Sequence, residues 1–252
     1  CFSKITDIFA SQSSFNNHIG VPVSLSQIPE SALFCCLEVG MNKKGEIKKL
    51  SELIKPDLAI ITAVEQSHLQ GLKGLRNIAL AKSEILYSLP KYGCFIFNKD
   101  TNFSQMLNDK AIKLKINNII SYGVSDSANI KLINFKLNNN VYFIKANCFE
   151  KIIEWEMPAI GEHWIHNSLS IIAAGIYYDL DMNSILAGLR SFKVPLGRGN
   201  TIKLSITGNS FWVIDDSYNS NPASLSASLK RLAEIKAKEF TRDLINNHET
   251  LI

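Results

Sequence analysis

Residues 32–62 read ALFCCLEVGMNKKGEIKKLSELIKPDLAIIT, and the pattern changes period twice along them. ALFCCLEV is a short apolar run of the kind that forms a buried parallel strand. GEIKKLSELIKP reads as an amphipathic helix stopped by Pro56. DLAIIT returns to a short, β-branched strand. Strand, helix and strand in this order make a βαβ unit, so the stretch predicts a parallel α/β sheet.

The same grammar continues outward. LRNIALAKSEILYSLP reads as a second helix ended by a proline, GCFIFN as a third strand and INNIISYG as a fourth. From about residue 124 polar and apolar residues alternate around an Asn-rich turn, which predicts antiparallel strands added to the sheet. Two helices follow, HWIHNSLSIIAAGIYYDL and MNSILAGLRSF. KVPLGRGN gathers Pro and Gly between patterned segments and reads as an interdomain linker. The strands TIKLSIT and FWVIDD come next, then a helix beginning at NPASLSASLKRL. The expected organisation is a doubly wound, mostly parallel α/β domain over 1–196 and the beginning of a second, Rossmann-like domain over 197–252.

In such sheets ligands bind at the carboxyl ends of the strands. Glu38 stands at the tip of the first strand and His68 follows the second. Asn98 and Asp100 follow the third, and Lys82 lies one helix beyond His68. Glu38, His68 and Lys82 are expected to converge on one edge. Taken singly, Glu38 also suits a solvated strand end, His68 a helix cap and Lys82 a surface helix.

The bulk numbers exclude several classes. Hydrophobic residues make up 46% and charged residues 20% of 252, the balance of a globular chain. A net charge of +4 is too small and scattered for a nucleic-acid surface, though it suits an anionic small ligand. No apolar run reaches the roughly 18 residues of a membrane span, and the N-terminal stretch lacks the pattern of a signal peptide. The five cysteines form no CxxC pair and are expected to be reduced, with Cys35, Cys36 and Cys94 in the core of a cytoplasmic protein. Residue 1 is Cys rather than Met, so the chain is expected to begin inside a longer reading frame or to have been trimmed.

Five strings in one order carry a resemblance. They are CLEVGMNKKGEIKKLSELIKPDLAIIT, SHLQGLKGLRNIALAKSEIL, GEHWIHNSLSIIAA, PLGR and VIDDSYNSNPASLSASL. Together they resemble the Mur ligases, and within them the branch that joins D-alanyl-D-alanine to UDP-N-acetylmuramoyl-tripeptide in peptidoglycan synthesis. DDSYNSNP and LEVGMNKKGEI are the most specific pieces. The resemblance implies an ATP-dependent ligase: ATP phosphorylates a carboxylate, and the amine displaces phosphate from the acyl phosphate. Crowded negative charge in both steps implies magnesium.

By the same resemblance Glu38 and His68 are ligands or near-ligands of magnesium. Lys82 is the lysine that takes up carbon dioxide and becomes a metal-binding carbamate, which needs a neutral amine and hence a depressed pKa. Asn167, Arg198, Asp216, Tyr218, Asn219 and Asn221 would face ATP. Asn16 and Asn17, in SFNNHIGVPVSL, would touch the uridine-nucleotide substrate; an Asn pair is also an ordinary turn.

The match has gaps. No Gly-Lys-Thr phosphate loop occurs in the chain, FSKITDIFASQ reads as the remainder of the helix such a loop would open, and no uridine-binding N-terminal domain is present. The tail from about Ala237 no longer resembles the family. Trp164, Ala63 and Glu65 stand where the family usually has asparagine, asparagine and glycine; Glu65 would be either an extra metal ligand or a sign of relaxed constraint. The chain alone is therefore expected to be inactive, and a complementary ligase fragment is an implied partner. Two alternatives stay open: a non-catalytic remnant of a broken ligase gene, and a ligase like folylpolyglutamate synthase.

Overall fold

The computed structural model describes residues 1–11, 15–65, 72, 74–138, 141–158, 161–206, 209–218, 225, 226, 228, 229, 232 and 233. They divide into two units. The first holds Cys1–Pro158 and Ile165–Phe192, the second Ala159–Trp164 and Lys193–Ile252.

The first unit is built on a six-stranded sheet in the order β3-β4-β5-β6-β7-β8. Strands β3 (Leu58–Ile61), β4 (Cys94–Asn98) and β5 (Asn118–Gly123) are parallel and come from the runs DLAIIT, GCFIFN and INNIISYG. Each is short, apolar and rich in β-branched or aromatic residues, which suits a strand covered on both faces. Helices α2 (Glu46–Ile54), α3 (Leu75–Lys82) and α4 (Ser104–Lys113) supply the connections. Their apolar stripes, Ile47, Ile78, Ala79, Leu107 and Ala111 among them, join Ala59, Ile61, Phe95 and Phe97 in one core. The rings of Phe95 and Phe97 stack at 5.2 Å, and both are fully buried. Helix α2 ends at Lys55, which takes a left-handed conformation just before Pro56.

Before the sheet turns antiparallel, one further strand joins it in parallel by a visible device. β5 pairs with β6 (Ile130–Asn138) through only two rungs, Tyr122 with Ile130 and Gly123 with Lys131. Six residues are too few for a parallel crossover, so the chain steps sideways instead. Asn129 locks the step, its Oδ1 accepting from Ser121 N and Ser121 Oγ, both at 2.9 Å. Asp100 braces it by accepting from Val124 N (2.8 Å) and Ser125 N (3.1 Å). β6, β7 (Val141–Cys148) and β8 (Lys151–Pro158) then form an antiparallel meander. The Asn-rich turn expected between the first two falls partly on 139–140, outside the described residues.

The β7–β8 turn is made by Phe149 and Glu150, both at positive φ (48° and 69°). That geometry favours Asn-Gly, and L side chains there carry strain. Replacing the pair by Phe149→Asn with Glu150→Gly is expected to raise stability by about 1–2 kcal/mol, read from the denaturation midpoint at unchanged m-value.

Ahead of this sheet lies a second, two-stranded parallel one, β1 (Ile8–Ala10) with β2 (Phe34–Cys36). Two expectations are corrected here. FSKITDIFASQ is not the remainder of a long helix: a single 3-10 turn, Phe2–Lys4, gives way to strand β1. And β2 does not join the six-stranded sheet. Its only strand partner among the described residues is β1, so Cys35 and Cys36 are exposed rather than in the core, while Cys94 and Cys148 are buried as free thiols.

Helix α1 (Gly20–Ser26) links β1 to β2, and α5 (Glu162–Tyr177) and α6 (Met182–Arg190) follow the meander. α6 packs on the first turn so closely that a side chain at Gly188 would meet the Cys1 backbone. No described helix is long and apolar enough to cross a membrane. The described core of the second unit is an antiparallel hairpin, β9 (Asn200–Ile206) with β10 (Asn209–Asp215). The helix expected from NPASLSASLKRL lies largely outside the described residues.

Candidate active site

Glu38 sits two residues past β2, exposed, on a tip held by backbone bonds: Ser11 N donates to Cys36 O at 3.0 Å, and Glu38 N to Ser11 Oγ at 3.3 Å. Asn16 orients the carboxylate, its Nδ2 donating to Glu38 Oε1 at 2.8 Å. The Asn16 carbonyl in turn accepts from Gly40 N at 2.8 Å. The two candidate substrate asparagines thus have structural duties. Asn16 aims Glu38, and Asn17 Oδ1 accepts from Ile19 N and Gly20 N at 2.9 Å each, capping α1.

Lys82 is the last residue of α3 and is half-buried. Burial holds its amine below the ordinary lysine pKa, and the Glu38 carboxylate pulls the other way without reversing the shift. Two residues 44 positions apart in sequence are thus brought within range of each other's charge. His68 lies outside the described residues.

The lowered Lys82 pKa has a consequence for stability. Between the depressed folded value and the unfolded value of about 10.5, the unfolded chain holds a proton that the folded chain has shed, so this group makes stability rise with pH. The buried thiols of Cys94 and Cys148, pushed up to about 12, act in the opposite sense as pH climbs past the ordinary thiol value of 9.0. The difference in unfolding free energy between wild type and Lys82→Met isolates the lysine. It is expected to grow in favour of wild type as pH rises through that window; a flat difference would contradict the shift.

Asn98 and Asp100 form a neighbouring cleft of about 220 Å³ with Ala63, Val64, Glu65 and Thr101. Glu65 is exposed there. Asn98 Oδ1 accepts from Asp100 N at 2.9 Å, and Asp100 is committed to the β5–β6 step. Asp100→Ala is expected to lower stability by about 1 kcal/mol, by taking a charged acceptor from two exposed backbone donors, without altering Mn²⁺ affinity; thermal denaturation checks the first and calorimetric titration the second.

Asn167 lies half-buried on α5. In the second unit Arg198 places its guanidinium 4.2 Å over the Tyr218 ring. The joint is tight: Tyr218 N donates to Gly197 O at 3.0 Å, and Gly199 N to Asp215 O at 2.8 Å. Gly197 has φ +74°, and a Cβ there would sit 2.9 Å from Tyr218 N. Asp216 accepts from Ser228 Oγ. Arg198, Asp216 and Tyr218 are thus gathered locally, while Asn219 and Asn221 lie outside the described residues.

A hard divalent cation takes oxygen donors, often only one or two from protein. The Glu38 tip fits that demand: it is rigid, and Asn16 engages one of its oxygens. One buried acid escaped the reading of the sequence. Glu84, two residues past Lys82 and 5% exposed, accepts from Gly45 N through both oxygens at 2.8 and 2.9 Å. The only signal was a carboxylate inside the apolar run SEILYSLP.

The chain belongs to the Mur ligase family, whose middle domain it matches over residues 2–175. Within that family it is similar to enzymes named UDP-N-acetylmuramoyl-tripeptide–D-alanyl-D-alanine ligase. The relative from Rickettsia prowazekii (strain Madrid E) is 30% identical over 234 residues, 93% of this chain and 51% of the relative. That from Bacillus subtilis (strain 168) is 33% identical over 223 residues, 86% of this chain and 45% of the relative. A crystal structure of MurF from Acinetobacter baumannii superposes with a TM-score of 0.83 at 25% identity, covering 92% of this chain and 49% of that one. The chain spans about half the length of the relatives it matches.

Proposed function

We propose that this chain is the central portion of an ATP-dependent amide ligase that adds D-alanyl-D-alanine to UDP-N-acetylmuramoyl-tripeptide, acting in the cytoplasm with magnesium. The observation that carries the reading is an exposed carboxylate, Glu38, oriented by Asn16 and within electrostatic range of Lys82, an amine whose burial favours the neutral form. A neutral amine can add carbon dioxide: nitrogen attacks the carbon, one proton leaves to solvent, and the neutral amine becomes an anionic carbamate with oxygen donors. Magnesium, when bound, would offset charge on the phosphates and the acyl group. Glu38 and carbamylated Lys82 would hold it, with His68 as the further ligand. Asn167, Arg198, Asp216, Tyr218, Asn219 and Asn221 are proposed for ATP, the Tyr218 ring keeping Arg198 extended. Asn16 is proposed to serve the site through Glu38.

The folylpolyglutamate alternative is not favoured, since the curated relatives carry the D-alanyl-D-alanine ligase name. The test is Mn²⁺ binding by the purified chain in bicarbonate, followed by electron paramagnetic resonance. Glu38→Gln is expected to weaken binding at least about tenfold, the equivalent of one charge-assisted ligand. Equal affinity in the variant would remove Glu38 from the site.

A further inference from the structure

Glu84 is a buried carboxylate that the proposed chemistry does not use. It lies in the 3-10 turn Ser83–Ser88, directly after the helix that delivers Lys82, and is 5% exposed. An acid so buried is costly unless its oxygens are engaged. Here both oxygens accept from Gly45 N, at 2.8 and 2.9 Å, and Oε2 also accepts from Lys48 N at 3.3 Å. These donors are the free N–H groups at the start of α2, where a negative charge is favoured. Gly45 meets the acid in a left-handed conformation, φ +88°.

The segment held in this way, residues 39–45, is the one that leaves Glu38. Its near end is tied by Gly40 N to the Asn16 carbonyl at 2.8 Å, and the Asn16 side chain donates to Glu38. Met41, 7% exposed, pins the middle in the core. Hydrogen bonds at Glu84–Gly45, Gly40–Asn16 and Asn16–Glu38, joined by the short chain segments 82–84 and 40–45, therefore connect Lys82 to Glu38.

We propose that Glu84 is a positioning residue: its grip on Gly45 and Lys48 fixes the Glu38 loop against the Lys82 helix and sets the spacing of the two groups. Its importance for ligation rests on the reading of Glu38 and Lys82 as the metal-holding pair. A carboxylate suits the task because it accepts from two convergent backbone donors at once, which an amide with one oxygen does less well.

The test separates a local cap from a positioning role. In ¹⁵N NMR of the 252-residue chain, Glu84→Gln is expected to speed amide exchange about tenfold at Gly45 and Lys48, and also at Gly40, and to shift the Asn16 side-chain amide. Faster exchange confined to Gly45 and Lys48, with Gly40 and Asn16 unmoved, overturns the proposal. Should Glu84→Gln fail to fold, Gly45→Ala strains the same joint without touching the acid, and the same two readings decide. Where wild type binds Mn²⁺, Glu84→Gln is expected to loosen it about tenfold and Glu84→Asp to recover part of that loss; unchanged affinity in Glu84→Gln counts against positioning. Failure of wild type to bind Mn²⁺ would sink the metal reading of Glu38, and the exchange data, which need no metal, still decide the coupling.

Discussion

With Lys82 replaced by alanine, D-alanyl-D-alanine addition is expected to fall at least about a thousandfold, in a ligase assembled from this chain and a segment supplying the Gly-Lys-Thr phosphate loop. The loss has a definite origin. On the proposed reading, the variant cannot form a carbamate, so the site would lose an anionic oxygen donor where charge must be balanced during phosphoryl transfer. Such electrostatic contributions are commonly worth about 3–4 kcal/mol, and each 1.4 kcal/mol is a factor of ten. The alanine also leaves a space where the lysine side chain stood at the end of α3. A small carboxylic acid in the buffer can occupy that space and present the same oxygens, so acetate or formate is expected to restore part of the rate. Product formation followed by mass spectrometry checks both halves. Full activity in Lys82→Ala would remove the lysine from the chemistry.

The second large effect concerns the chain as it stands. Purified and supplied with ATP, magnesium, UDP-N-acetylmuramoyl-tripeptide and D-alanyl-D-alanine, the 252-residue chain is expected to give no detectable product. Its sequence contains no Gly-Lys-Thr loop, and backbone N–H groups in such a loop grip the phosphates next to the transferred group. Losing that grip removes several kcal/mol of transition-state stabilisation, enough to take ordinary turnover below detection. Activity restored by adding a separate loop-bearing fragment would support the complementary-fragment partnership. Ligation by the chain alone would sink the expectation and call for another phosphate-binding device.

The parts of the fold that were legible are those fixed by local pattern. GCFIFN and INNIISYG fill both faces of a parallel sheet with β-branched and aromatic side chains, so their strands could be read directly. Glu38 could be placed at a strand tip because an acid ends an otherwise apolar run. What could not be read depends on partners distant in sequence. Ile8–Ala10 is a strand because Phe34–Cys36 lies beside it, and no periodicity in three residues announces that. Cys35 and Cys36 look like core residues by composition, yet their strand pairs only with β1 among the described residues. The Phe149–Glu150 turn uses neither Asn nor Gly, so the usual hairpin signal is missing. Asn16, suggestive of a substrate contact, also aims Glu38, a duty no local pattern announces, and Glu84 was hidden because only the folded chain brings Gly45 to it.

The central claim is that Lys82 is a carbamate-forming lysine poised beside Glu38. The most direct measurement is ¹³C NMR of the purified chain in labelled bicarbonate, with and without magnesium. The expected result is one protein-bound carbamate signal, strengthened by magnesium and missing from Lys82→Ala. A folded wild-type chain with no such signal, or a signal that survives Lys82→Ala, would contradict the assignment.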